Sequence, residues 1–84
     1  MTNSAIVEIR DENGVSLGDL DIPLDMPVKE VSRKMLEFFR KEGNAFFSRT
    51  EGLLLYDGDN LLGEEETLAS EAIWDGSIIT IRRV

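Results

Sequence analysis

Between residues 27 and 42 the apolar positions recur with a helical period. At 100° per residue, Val28, Val31, Met35, Phe38 and Phe39 share one arc, with Leu36 at its edge. Lys29, Glu30, Arg33, Lys34, Glu37, Arg40 and Lys41 take the opposite arc. Pro27 suits a first helical position, and Gly43-Asn44 supplies a left-handed stop. Glu30–Lys34 and Glu37–Lys41 stand at i,i+4 with the acid first, the favourable order against the helix dipole. A single amphipathic helix of this length cannot bury its apolar stripe alone. The remaining chain must supply the surface that receives it.

That remainder alternates with the period of strands. In Ala5–Arg10, Val7 and Ile9 point one way and Ile6, Glu8 and Arg10 the other, after a frayed Met1–Ser4. Asp11-Glu12-Asn13-Gly14 contains the Asn-Gly pair of a hairpin turn. The return strand, Val15–Leu24, shifts its apolar phase from odd (Val15, Leu17) to even (Leu20, Ile22, Leu24) beside Gly18, which predicts a bulge. Pro23 cannot donate to a ladder, so this strand belongs at a sheet edge. Beyond the helix, Gly52–Tyr56 reads as a short strand, Asp57–Asn60 as a turn and Leu61-Leu62 as a brief return. Leu68 and Ile73 are buried points in a short helical turn, Asp75-Gly76 bends the chain, and Ser77–Val84 is a strand with Ile79 and Ile81 inward. Phe46 and Phe47 are either a lid over the core or an exposed contact. The order is strand, strand, helix, strand, short strand, terminal strand. Four to five strands in a mixed sheet against one main helix make an α+β domain over residues 5–84.

Composition narrows the function. The 84 residues contain no cysteine and no histidine. Disulfides, thiolate metal sites and thiol nucleophiles are therefore excluded, and the commonest general base is missing. No catalytic, cofactor-binding or metal-ligating residues are assigned. Asp57-x-Asp59 fails as a calcium loop, because Leu61, Leu62 and Leu68 fill its fifth, sixth and twelfth positions. Glu64–Glu66 reads as a solvated acidic turn. No apolar run reaches the roughly 18 residues of a membrane span, so no direct membrane insertion is expected. A net charge of −8 argues against nucleic acid. Helix residues 27–42 nevertheless carry a net +2, with Lys29, Arg33 and Arg40 along one edge that could meet an acidic partner.

A hairpin, one diagonal helix and further strands resemble the ubiquitin-like β-grasp fold. Asp25-x-Pro27-Val28-x-x-Val31 and the run T-L-x(4)-I-x-D-G-x-x-I-x-I from Thr67 to Ile81 carry that resemblance. Within the fold, Leu24-Asp25-Met26-Pro27-Val28-Lys29 and Gly76-Ser77-Ile78-Ile79-Thr80-Ile81 are similar to the YukD/EsaB family that accompanies type VII (ESX-like) secretion systems. The resemblance implies a parallel pairing of first and last strands at the sheet centre. It also implies a cytoplasmic binding component without enzymatic activity, peripheral to the membrane through secretion membrane components or their ATPase. An adaptor in another pathway is the alternative. A modifier or sulfur carrier is disfavoured, because those act through a diglycine tail, whereas the sequence ends Arg82-Arg83-Val84.

In such a fold, alternation places Ile6, Leu54, Tyr56, Ile78, Thr80 and Arg82 on the outer face of the sheet, a common recognition surface of ubiquitin-like domains. Trp74, at the neighbouring bend, packs on its own loop or contacts a partner. Self-association through this face or an edge strand stays open.

Overall fold

The computed structural model describes residues 3–84, with the side chain of Phe46 left aside. Five strands and one long helix follow in the order β1 (Ser4–Arg10), β2 (Ser16–Pro23), α1 (Val28–Lys41), β3 (Leu53–Asp57), β4 (Asn60–Leu61) and β5 (Ile78–Arg83), with a 3-10 turn at Ala45–Phe47. The sheet order is β2-β1-β5-β3-β4. β1 and β5 run parallel at its centre, while β1–β2, β3–β5 and β3–β4 are antiparallel. This is the expected mixed sheet. Against the expectation of a frayed Met1–Ser4, Ser4 belongs to β1, and the Asn3 carbonyl accepts the Leu24 N–H at 2.7 Å. Met1 and Thr2 lie outside the described residues.

The core forms where the inward positions of the sheet meet α1. Val7, Ile9, Leu55, Ile79 and Ile81 are almost wholly enclosed, and Val28, Val31, Met35, Leu36 and Phe39 cover them from the helix. Leu36, at the edge of the apolar arc, is buried, whereas Phe38, placed within that arc, turns outward. Phe38 is 42% exposed and meets Phe39 edge-on at 5.5 Å. Phe47 is a plug. It is fully buried and stacked on Phe39, with ring centroids 4.8 Å apart. The part of the lid expectation that concerns Phe46 lies outside the described side chains.

Both ends of α1 are secured by backbone. Pro27 is extended (ψ 143°) and serves as the N-cap, so the helix begins one residue later than the sequence suggests. A bridge between Pro27 and Thr67 holds it in that conformation. Proline offers no capping side chain, and the carbonyls of Glu66 and Glu64 instead accept the Val28 and Lys29 N–H groups at 2.7 and 3.1 Å. The acidic turn is thus a helix cap, not merely a solvated bend. At the other end Gly43 adopts φ 74°, and the Gly43 and Asn44 N–H groups donate to Arg40 and Phe39 carbonyls, a Schellman closure. The side chain of Glu30 pairs with Arg33 at i,i+3.

The bulge falls where the phase shift predicts it. Ile9 faces Gly18 but Arg10 faces Ser16, so Leu17 is the extra residue and Gly18 sits at φ 109°. The helical turn before β5 is a single turn, with Glu71 N–H donating to the Thr67 carbonyl. It closes by the same Schellman pattern as α1, Ala72 to Ala69 and Ile73 to Leu68. Here an exposed alanine, Ala72, takes the left-handed position at φ 61°. That conformation costs an L-residue about 1 kcal/mol or more.

Two stability outcomes are expected. Ala72→Gly relieves the left-handed strain, adding about 1 kcal/mol and raising Tm by about 4–8 °C in a domain of this size. Phe47→Ala empties the stacked plug and removes about 3–5 kcal/mol. Thermal and urea unfolding monitored by circular dichroism read both.

Candidate functional site

Because Val7, Ile9, Leu53, Leu55, Ile79 and Ile81 face α1, their neighbours on each strand face away from it. The pairing sets their rows. Arg10, Thr80, Tyr56 and Leu61 follow one another across β1, β5, β3 and β4, with Arg82 beside Leu54 in the next row and Glu8 beside Ile78 in the other. All six face residues inferred from alternation therefore lie on the outer side. Ile6 is 56% exposed and Ile78 40%, Leu54, Tyr56 and Thr80 are half-buried, and Arg82 is exposed.

The face is not a continuous apolar patch. The Arg10 guanidinium donates to the Glu8 carboxylate beside Ile78, and the Arg82 guanidinium lies over the Tyr56 ring at 5.9 Å. Ile6 and Ile78 form one apolar corner, and Tyr56 with Leu61 another. Glu8 and Arg10 were legible from alternation as face residues. Leu61, 50% exposed, was not, since a two-residue strand has no period to read.

Asp75 fixes the Ile6 corner. Its Oδ1 accepts the Ile6 N–H at 2.8 Å, and the Gly76 N–H returns a bond to the Ile6 carbonyl at 3.0 Å. Trp74 stands beside this junction, 64% exposed, with its backbone N–H bonded to Ser77 Oγ at 3.1 Å. A large indole is thus presented at the bend, on the side of the sheet where β5 begins.

The basic helix edge is differently occupied. Lys29 donates to Glu65 at 2.9 Å, a contact that raises the lysine above its ordinary pKa. Arg33 donates to Glu30, lowering that carboxylate and raising the guanidinium. Arg40 reaches the carbonyls of Phe47 (3.3 Å) and Thr50, tying the segment after α1 to the helix. Each cation is engaged locally, and the three do not converge on one pocket. Glu12 receives both the backbone N–H and the Nε–H of Arg83 at 3.2 Å. The Arg83 backbone bond, followed by its side-chain bond, holds the Glu12 carboxyl below its ordinary value. Among the described residues no cluster of three or more acidic groups is arranged to hold a metal, and no helix is long and apolar enough to cross a membrane.

The sequence matches no protein-family model and no curated protein. Solved structures share its fold. A chain of the MycP5-free ESX-5 inner membrane complex in State II superposes with a TM-score of 0.75 at 19% identity, over 98% of this chain and 21% of that one. The present chain thus spans about a fifth of that relative's length. The EccD5 ubiquitin-like domain from Mycobacterium xenopi gives 0.74 at 18% identity, over 96% and 94% of the two chains. A computationally designed protein based on human erythrocytic ubiquitin gives 0.64 at 26%, over 95% and 91%. The fold is therefore ubiquitin-like.

Glu12 gives a pH outcome. Because its carboxyl is depressed in the folded state, the Arg83 contact contributes stability above the ordinary glutamate value of 4.5 and loses it as pH falls through the lower folded value. Carbon-detected NMR titration should place the Glu12 and Glu30 midpoints below 4.5. Glu12→Gln should remove the Glu12 part of the acid dependence of stability.

Proposed function

We propose that this chain is a non-catalytic, ubiquitin-like binding component of a bacterial type VII secretion system, of the YukD/EsaB kind. It acts at the cytoplasmic side of the membrane assembly through non-covalent contacts made by the outer face of its sheet. The observation that carries this reading is the agreement in fold, over nearly the whole chain, with an ESX-5 inner membrane component and with the EccD5 ubiquitin-like domain. Both TM-scores, 0.75 and 0.74, exceed the 0.64 of the ubiquitin-templated design.

The residues support a binding role in two ways. A sequence without cysteine or histidine lacks the usual nucleophile and general base. The outer face offers Tyr56 and Arg82 as interface anchors, with Ile6 and Ile78 as an apolar corner and the exposed Trp74 nearby.

An affinity-tagged copy, expressed in its native host and recovered from detergent-solubilised membranes, should bring down secretion membrane components or their ATPase while keeping its unmodified mass. Tyr56→Glu with Ile78→Glu should abolish that recovery and shift Tm by only a few degrees, as expected of substitutions outside the core. A ladder of covalent adducts, or a wild-type capture free of secretion components, would overturn the reading.

A further inference from the structure

A second surface lies at the β2 edge of the sheet and is independent of the secretion reading. β2 has a strand on one side only. Ile6 and Glu8 direct their backbone groups toward β5, with Ile6 bonded to Asp75 and Gly76 and the Glu8 N–H to the Ser77 carbonyl. Ala5, Val7 and Ile9 therefore face β2, where they stand opposite Ile22, Leu20 and Gly18, the last at the bulge with its N–H donating to Ser16 Oγ at 3.3 Å. The intervening backbone groups of Asp19 and Asp21 point out from the sheet and pair with no other described group. They form an open ladder two residues apart.

Beside this ladder, between β2 and α1, lies a groove of about 330 Å³ lined chiefly by Leu20, Ile22, Met26, Met35 and Phe38, with Asp21 and Lys34 as its charged borders. Phe38 is the aromatic that turned outward. The two sides of the open edge thus differ in chemistry. Leu20 and Ile22 face the groove side. Asp19 and Asp21 alternate with them as cross-strand neighbours of Glu8 and Ile6, and Asp21 also borders the groove along the open edge. Neither aspartate has an ion-pair partner among the described residues.

We infer that the β2 edge and the groove beside it take up an extended segment of a partner protein, with alternating apolar and basic residues, as an added antiparallel strand. Successive side chains of such a strand point to opposite faces. One set would enter the groove, and the other would lie beside Asp19 and Asp21. Lys34 at the lip disfavours cations on the groove side, which fixes the register by charge. A second copy is a poor occupant, because antiparallel β2–β2 pairing sets aspartate against aspartate. The same aspartates, with the bulge at Gly18 and Pro23 near the strand end, guard the edge against indiscriminate pairing and leave it selective for a basic strand.

The probe is an acetylated, amidated nonapeptide of alternating lysine and valine, titrated into the whole chain at low salt and followed by NMR. Expected are amide shifts along β2 and the α1 lip, and slowed hydrogen exchange at the Asp19 and Asp21 N–H groups. N-methylation of the lysine amides, which face β2 in antiparallel register, should weaken binding by at least roughly tenfold. A valine–glutamate peptide should not bind. Asp19→Lys with Asp21→Lys, two exposed positions, should reverse that preference. Unchanged exchange at Asp19 and Asp21, equal binding of the methylated peptide, shifts confined to the β3–β5 face, or no saturation at millimolar peptide would each overturn the inference. The methylated peptide tests backbone pairing without any change to the protein, so the outcome does not depend on the variant folding.

Discussion

Everything in this fold waits on the parallel contact between β1 and β5. The two strands that share the sheet centre stand about seventy residues apart in the chain, and the bond from Ile6 to Asp75 spans 69 positions. Val7, Ile9, Ile79 and Ile81 lie side by side where these strands meet, and together they are almost wholly enclosed beneath α1. The entropy of closing so long a loop rises slowly with length, but it must be met before the distant contacts return any stability. Asp75 makes the junction unusually definite. The Asp75 side-chain oxygen, the Gly76 N–H and the Ser77 carbonyl align β5 on β1 at one register, which in a two-faced sheet decides which residues are core and which are surface.

The helix depends on that sheet and on main-chain atoms distant in sequence. Its first N–H groups are satisfied by carbonyls of residues 64 and 66, and its last turn by Gly43 and Asn44. Arg40 then carries the restraint outward, anchoring the segment that inserts Phe47 beneath Phe39. The basic residues that give the helix its local positive charge are thus mainly fastenings. The open surfaces lie elsewhere, on the outer sheet face and at the β2 edge.

Much of the fold was legible because periodicity reports burial. The alternation in β1, β3 and β5, the phase slip at Gly18 and the order of elements all follow from which side of a strand must be apolar. The exchange of Leu36 and Phe38 was not legible. Both sit near the margin of the helical arc, and the crossing of α1 over the sheet decides which margin is covered. The capping by residues 64–66 left no trace, because any residue brings a carbonyl. Of the outer face, alternation found the six residues and the sheet pairing found Leu61. The division of that face by Glu8–Arg10 and by Arg82 over Tyr56 required side-chain positions. The β2 groove was invisible for the same reason, being a gap between elements rather than a pattern within one.

The central pairing also sets how the domain bears force. Since β1 and β5 are parallel neighbours, the start of one and the end of the other lie at opposite ends of the sheet. Tension applied between residues 4 and 83 would draw the two strands past each other along their length. The slanted, evenly spaced bonds between them would then be loaded together rather than opened one after another, as they would be in a hairpin pulled from its open end. Forced unfolding is governed by the rate of crossing that barrier rather than by equilibrium stability. The parallel pair is therefore the element that resists tension along this one axis, whereas the antiparallel β1–β2 hairpin would open bond by bond if pulled from its ends.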